Sequence, residues 1–362
     1  MRGTPKWALL LPLLVALAGC GHPQDSVDPI THARPQPGRQ EQAVGRPAGE
    51  ITVVETEEAK EHKAIQARAA GLFAAADYPA LEELARGYRE SKVCYADGGW
   101  KLRDVYYGVT PDGKRTEQAW IEQMAALQRW VQARPQSITA RVALADGWVD
   151  YGWAARGGGY ANTVTEQGWK HFGQRLEKAA RVLKEAGELK EQCPRSWVVW
   201  LTLAKGMGAE KDQFEILFQK AIEAEPAFAP YYNQKAIYLL PRWHGKPGDT
   251  ADFLQSAADK LGGEEGDVLY ARAAWALQGV EGNIFVDRGL TWPRVDKGFT
   301  VLEKRYPNSA YVRNGRAYLA VMGSDYKNKP RELVDRLEGK IDLVAWTSKE
   351  NFLRLTKQFY AP

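Results

Sequence analysis

The sequence predicts an all-α fold made of helical hairpins that stack in a curved, solenoid-like array. Apolar residues recur at steps of three and four along most of the chain after residue 55, which is the period of an amphipathic helix. Prolines and glycines divide these stripes into segments of helix length. Convincing runs of the alternating pattern that marks a half-buried strand are absent from the sequence.

Residues 1–19 predict a signal peptide. Arg2 and Lys6 form a short positive end, and the apolar run that follows, roughly a dozen residues, is too short to span a bilayer. The run closes at Leu17-Ala18-Gly19-Cys20, which resembles the bacterial lipobox. The resemblance implies that Cys20 carries acyl chains and anchors the protein to a membrane. Gly21 in place of Asp favours the outer membrane, facing the periplasm. The alternative is an ordinary cleaved signal followed by release.

Residues 20–54 predict a flexible tether. Up to about Gly49 this segment is rich in Pro, Gln, Gly and Arg and poor in apolar residues. Such a composition cannot bury enough surface to offset the entropy of ordering. The helical domain is therefore expected to span residues 55–362.

The apolar stripes place the helices in order along this domain. The first helix is predicted from Glu57 to Ala76, and Asp77-Tyr78-Pro79 then marks a break and a restart, because proline fits the first turn of a helix. The later helices are predicted from these stripes: Leu81, Leu84, Ala85 and Tyr88; Trp120, Met124, Leu127 and Val131; Leu176, Ala180 and Leu183; Phe214, Leu217, Phe218 and Ala221; Phe253, Ala257 and Leu261; Leu269, Ala273 and Leu277; Val295, Phe299, Leu302 and Tyr306.

A recurring pattern closes several of these helices. An apolar residue is followed three positions later by a second one, and five positions after that by proline; the instances are Phe218, Ala221 and Pro226; Phe299, Leu302 and Pro307; Leu127, Trp130 and Pro135; and Ala186, Leu189 and Pro194. The pattern resembles the end of the second helix of a tetratricopeptide repeat. Because the prolines are unevenly spaced, the sequence predicts a degenerate and interrupted tetratricopeptide-like array.

Four segments resemble, as phrases, an uncharacterised bacterial family called domain of unknown function 4034. They are LFAAADYPALE at 72–82, DGGWKL at 97–102, AARGGGYA at 154–161, and the stretch from YY at 231 to LLPRWHG at 239–245. Together the segments are spread over most of residues 60–280. The resemblance implies a helical, repeat-like domain, often secreted or lipidated, and it supplies no catalytic residues.

Composition limits the classes of partner. The chain has 49 Lys and Arg against 45 Asp and Glu, a formal net charge of +4, and no long basic run, so we expect no nucleic-acid partner. Thirteen Trp and sixteen Tyr are many for this length, and their default place is the core.

The cysteines leave two alternatives open. Cys94 and Cys193 form an even pair in a chain bound for an oxidising compartment, which favours a disulfide. Two buried free thiols are the other alternative, since free cysteine is among the most buried residue types. The sequence has neither a CxxC motif nor a Cys/His cluster with zinc spacing, and it contains none of the common hydrolase or nucleotide-binding motifs. We therefore expect no metal, no cofactor and no catalytic residues.

The loop from Arg156 to Thr163 is the first candidate binding segment. Three consecutive glycines, including Gly158, lie between Arg156 and Tyr160, and consecutive free amides beside an arginine can bind an anion. The favoured alternative is that the glycines allow a tight turn between two packed helices. Thr163-x-x-Glu166 predicts a capping box at the start of the next helix.

The loop at 241–249 is the second candidate segment. It holds Trp243 and His244 together with Arg and Lys, and functional groups favour loops on a rigid scaffold. His244 could act as an acid or base near neutral pH, as could His171. Alternatively, Trp243 plugs the hairpin while His244 bonds a carbonyl group.

These features predict a membrane-anchored envelope lipoprotein that acts as a helical scaffold for an envelope protein or peptide. The candidate contact residues are Trp148, Arg156, Gly158, Tyr160, Trp243 and His244. One alternative is a carbohydrate- or cell-wall-binding lipoprotein, because aromatic faces pack against sugar rings. Another is an envelope enzyme that uses His244 or His171 as a base.

Overall fold

The computed structural model describes residues 50–110, 115–278, 283–324 and 328–360. Sixteen α-helices lie in these ranges: α1 (Glu57–Ala74), α2 (Tyr78–Ser91), α3 (Leu102–Val109), α4 (Glu117–Ala133), α5 (Ile138–Arg156), α6 (Glu166–Gly187), α7 (Arg195–Gly206), α8 (Lys211–Ala224), α9 (Ala229–Tyr238), α10 (Asp249–Leu261), α11 (Gly263–Gln278), α12 (Trp292–Arg305), α13 (Ala310–Gly323), α14 (Asn328–Asp335), α15 (Leu343–Trp346) and α16 (Lys349–Thr356). Short 3-10 turns lie at Ala161–Thr163 and Lys357–Phe359. Strands in the same ranges are limited to β1 (Thr52–Val53) and β2 (Lys340–Ile341). The all-α prediction is therefore confirmed.

Local sequence signals explain where the helices start. Thr56 caps α1 by accepting a hydrogen bond from the backbone amide of Ala59 at 3.0 Å, and Asp77 caps α2 in the same way through Ala80. Pro79 lies in the first turn of α2, as the sequence predicted. Among the described helices, none is both long enough and apolar enough to cross a membrane.

Helix α5 lies at the centre of the N-terminal half. It packs against α2, α4, α6 and α7, and thirteen of its residues are buried. Its glycines allow this, because a Cβ on Gly147 would lie 2.9 Å from Leu127 Cδ1 and one on Gly152 would lie 3.3 Å from Leu176 Cδ2. A helix with this share of buried residues is a core helix.

The hydrophobic core has two parts. The first extends from α1 to α9, with Trp130, Leu81 and Tyr106 among its most deeply buried side chains. The second extends from α9 to α16 and contains Trp346 and Phe352. Helix α9 contributes residues to both parts and therefore joins the two halves of the core.

The N-terminal segment packs against the C-terminal half. Strand β1 pairs in parallel with β2, and Thr52 N donates to Gly339 O and Val54 N to Ile341 O, both at 2.9 Å. Ile51 is buried in the second part of the core. The predicted tether at 20–54 is thus corrected at its end, because residues 50–54 are fixed by strand pairing and by burial of Ile51. The predicted signal peptide at 1–19, Cys20 and the rest of the tether lie outside the described residues.

Cys94 and Cys193 are free thiols, so the candidate disulfide is not formed in the structure. Each sulfur has its own partner. Cys94 Sγ donates to Lys92 O at 3.2 Å, whereas the buried Cys193 Sγ lies 3.3 Å from the Tyr106 hydroxyl. Burial raises the pKa of the Cys94 thiol, which disfavours the thiolate that disulfide formation needs.

Glycine sets the crossing of α1 and α3. A Cβ on Gly108 would lie 2.3 Å from the carbonyl oxygen of Gln66 and 2.8 Å from the Cβ of Ala69. Neither contact is sterically possible without a shift of one backbone. The small side chains at this crossing therefore allow α1 and α3 to pack closely.

We expect Gly108→Ala to lower the free energy of unfolding by about 2 kcal/mol, because α1 and α3 must move apart. Gly87→Ala is the matched control: Gly87 lies within α2 with no atom within 4 Å of its added Cβ, so the change should raise stability by about 0.5–1 kcal/mol. Urea unfolding followed by circular dichroism measures both. Equal effects of the two substitutions would contradict the close crossing.

Candidate functional site

Four of the sequence-predicted contact residues lie in one region of the surface. Arg156 ends α5, Tyr160 lies in the loop that follows, and Trp243 and His244 lie in the turn after α9. The structure adds further members, namely Trp153, Trp169, Lys205 and Arg242. We call the region formed by Trp153, Arg156, Tyr160, Trp169, Lys205, Arg242 and Trp243 the cation–aromatic face.

Arg156 is the centre of this face. Its guanidinium carbon lies 5.6 Å from the ring centroid of Trp153, 5.5 Å from that of Trp169 and 5.3 Å from that of Trp243. Distances of this order are typical of cation–π attraction. Trp153 precedes Arg156 by one helical turn on α5, and Trp169 belongs to the first turn of α6, so two packed helices position the contacts.

The glycine loop folds around Arg156. The Nη1 group of Arg156 donates to Gly157 O at 3.0 Å and to Gly159 O at 2.7 Å, and Gly157 has a φ of +75° that favours glycine. Loop carbonyl groups rather than amides therefore face the guanidinium, which fits the favoured alternative of a tight turn. A Cβ on Gly158 would have no other atom within 4 Å, so this residue lies open to solvent.

The capping box predicted at Thr163 and Glu166 is wrong. The cap of α6 is Thr165, whose hydroxyl accepts from Gly168 N at 3.0 Å. Thr163 instead ends a 3-10 turn and donates its hydroxyl to Tyr160 O at 2.7 Å. Helix α6 therefore starts two residues later than the sequence predicted. Tyr160, which comes just before the 3-10 turn, is 72% exposed.

Three cations surround the indole ring of Trp243. Lys205 Nζ lies 5.0 Å from its centroid, Arg156 Cζ 5.3 Å and Arg242 Cζ 5.5 Å. Trp243 also packs edge-on against Trp153, with centroids 5.4 Å apart, and Lys205 Nζ lies 5.4 Å from the Trp153 centroid. The amine of Lys205 is therefore held between two indole rings.

Burial and charge repulsion act on these cations. Burial, followed by the charges of Arg242 and Arg156, lowers the pKa of Lys205 from 10.5 to about 8. Burial and Arg242 also lower the pKa of Arg156. Within the described residues, no carboxylate pairs with or accepts a hydrogen bond from Lys205 or Arg156. The buried indole nitrogen of Trp153 likewise has no acceptor. Lys205 and Arg156 thus carry positive charge with no carboxylate among the described residues to neutralise it, which is the complement of an anion.

His244 takes the structural role that was its alternative. Its ring stacks on Tyr238 with centroids 4.6 Å apart, and its Nε2 lies 3.2 Å from the backbone oxygen of Lys205. A carbonyl oxygen only accepts, so Nε2 carries the proton and donates it. Burial lowers the pKa of His244, which favours the neutral ring. His171 contacts Gln167 rather than a carboxylate, at 2.6 Å between the two side-chain nitrogens.

Trp148 lies in the core and is not the surface contact residue that the sequence predicted. It is 8% exposed, stacks on Tyr151 with centroids 6.1 Å apart, and is covered by Lys178 Nζ at 4.3 Å from its ring. Its ring contacts Tyr151 of the same helix and Lys178 of α6. Trp148 is therefore a packing residue.

A second polar cluster was missed from the sequence. Asp104 is fully buried and accepts from His62 Nδ1 at 2.8 Å, Tyr95 Oη at 2.7 Å and Gln66 Nε2 at 2.8 Å. Burial alone would raise the pKa of Asp104, but these hydrogen bonds outweigh it and hold the pKa below its usual range. Arg103 lies 3.2 Å from the other nitrogen of His62, so both ring nitrogens are engaged. The cluster ties α1 to α3.

We expect Lys205→Met to raise the free energy of unfolding by about 2 kcal/mol at neutral pH. The folded state binds the Lys205 proton less tightly than the unfolded chain does, so the wild type gains stability as pH rises from about 8 to 10.5. The difference between variant and wild type should shrink over that range. Thermal and urea unfolding at several pH values measure it.

The matched control is Lys178→Met, which removes an exposed lysine that lies over a different indole ring. Its effect should stay below about 0.5 kcal/mol. A destabilised Lys205→Met at neutral pH would show that the cation–π contacts outweigh the cost of burying the charge.

No family model, no curated protein and no solved structure matches the chain. The resemblance to domain of unknown function 4034 stays a prediction. The geometry and charge of the cation–aromatic face are therefore the basis on which a function can be proposed.

Proposed function

We propose that this protein is a membrane-anchored envelope lipoprotein that binds an acidic segment of a protein or peptide partner on its cation–aromatic face. The observation that supports the proposal most directly is the grouping of Arg156, Lys205 and Arg242 around the single ring of Trp243. Bringing cations together costs free energy, and an anionic ligand would offset that cost. Half-buried indoles beside the charges would hold the apolar stems of an acidic side chain.

We further propose that the helices form a degenerate tetratricopeptide-like array. Pro135 follows the end of α4 and Pro226 follows the end of α8, which is where proline ends the second helix of such a repeat. Arrays of this kind present extended surfaces to peptides. The cation–aromatic face is built from the ends of α5, α6, α7 and α9, which is a surface that several hairpins share.

An acidic carbohydrate is the second candidate ligand. Tyr160 supports it, because the ring is exposed and the Arg242 guanidinium lies 5.9 Å from its centroid. A sugar acid could stack on this ring while its carboxylate contacts the arginine. The three indoles of the face are each half-buried, which favours the peptide.

A synthetic peptide rich in Asp and Glu should bind the protein, and its Asn and Gln counterpart should not. Arg242→Glu and Trp243→Ala should each weaken binding of the acidic peptide at least tenfold, about 1.4 kcal/mol. Isothermal titration at low and high salt measures this, and the affinity should fall as salt rises.

Arg181→Glu is the control for charge, because Arg181 is exposed on α6, which also carries Trp169. It should leave the affinity within about twofold of the wild type. Trp243→Ala should lower the melting temperature by no more than a couple of degrees. Unchanged binding together with a large loss of stability would make Trp243 a core residue and remove the face from the proposal.

Membrane attachment rests on Cys20, so Cys20→Ser should abolish incorporation of labelled palmitate in a bacterial host. Cys94→Ser removes a cysteine of the folded domain and should leave labelling intact. Labelling and membrane fractionation, read on the same cultures, measure the result. Equal labelling of both variants would exclude Cys20 as the site.

A further inference from the structure

The amine of Lys205 has an environment that differs from that of a surface lysine. Its Nζ lies 5.0 Å from the Trp243 centroid and 5.4 Å from the Trp153 centroid. Among the described residues, no hydrogen-bond acceptor satisfies it. Lys205 as a residue is partly buried.

The groups around this amine are donors. Arg156 uses Nη1 for the two loop carbonyls, which leaves its Nε and Nη2 without a partner in the described residues. The indole nitrogen of Trp153 is buried without an acceptor. Arg242 adds a positive charge over the same indole ring. A small anion attached to Lys205 would supply the missing acceptor.

We propose that CO2 carboxylates the amine of Lys205 and that the resulting carbamate is stabilised by Arg156, Arg242 and the indole nitrogen of Trp153. This modification goes beyond binding of an acidic partner, because its reagent is CO2 and its site is one nitrogen. It does not depend on the identity of that partner.

The chemistry is balanced without an oxidant or a further reactant. The lone pair of the neutral Nζ attacks the carbon of CO2, a nitrogen–carbon bond forms, and one pair of π electrons moves onto oxygen. The nitrogen then loses a proton to water. The product carries one negative charge where the ammonium carried a positive one.

The same surroundings favour each stage. The attacking amine must be neutral, and the pKa of Lys205, about 8, makes the neutral fraction near physiological pH far larger than that of an ordinary lysine. The charges of Arg156 and Arg242, which disfavour the ammonium, favour the anionic product. The ammonium group of Lys205 is repelled by the two guanidinium groups, whereas the carbamate would be attracted to them.

The test uses the folded protein with 13C-labelled bicarbonate at a pH just above the pKa of Lys205. Carbon-13 NMR should show a carbamate resonance in the wild type that is missing in Lys205→Arg, a substitution that keeps a positive charge but cannot form the product. Other amines contribute equally to both spectra, so the difference reports this residue. Identical spectra would overturn the proposal.

A second measurement does not depend on the variant. Trimethyloxonium ion converts carbamates into stable methyl esters, and mass spectrometry after digestion then locates them. The ester should be several-fold more abundant on Lys205 than on Lys178, which is exposed and lies over the Trp148 ring. Equal or lower labelling of Lys205 would refute the proposal, whether or not the acidic peptide binds.

Discussion

The burial of most of α5 by four neighbouring helices is the constraint on which the rest of the structure depends. Helices α2, α4, α6 and α7 pack around it, and its two glycines let leucine side chains of α4 and α6 approach. A helix held from so many directions cannot rotate or slide, so the residues at its end are fixed as well. Trp153 and Arg156 occupy that end. The packing of α5 in the core therefore also fixes the positions of these two residues of the cation–aromatic face.

The face departs from what folding alone would favour. Lys205 is held between indole rings with two guanidinium groups nearby, and its lowered pKa reflects an unfavourable interaction in the protonated state. Groups whose pKa is strongly shifted by burial and neighbouring charge are often found at functional sites. Elsewhere in the described part of the chain, buried cations are paired. Arg195 donates to Asp146 and Arg316 to Asp296 and Glu303, which shows that this sequence can supply carboxylates where structure requires them.

Sequence patterns were sufficient for about half of the described helices and insufficient for the whole site. The stripes of α1, α4, α8 and α12 are local, so they could be predicted from residue spacing. Trp153 lies one turn before Arg156 and could have been added from that spacing. Lys205 could not, because α7 reaches the face through its tertiary packing against α5, α6 and α9. His244 and Trp148 were predicted as contact residues from the chemistry of their side chains. In the structure His244 donates to a backbone carbonyl group and Trp148 packs in the core. Whether Cys94 and Cys193 form a disulfide depends on how close they lie in the folded chain, and their spacing along the sequence does not give that distance.

The pairing of β1 with β2 has a consequence for biogenesis. Strand β1 is synthesised before any helix of the domain, yet its partner is near the end of the chain. Closing a loop of that length is entropically costly and slow, so this contact forms after most of the helices have packed. Until then Ile51 and the two-residue strand stay exposed. A chain made from its N-terminus onward would therefore fix β1, which is synthesised before the helices, only after β2 near residue 340 has been made.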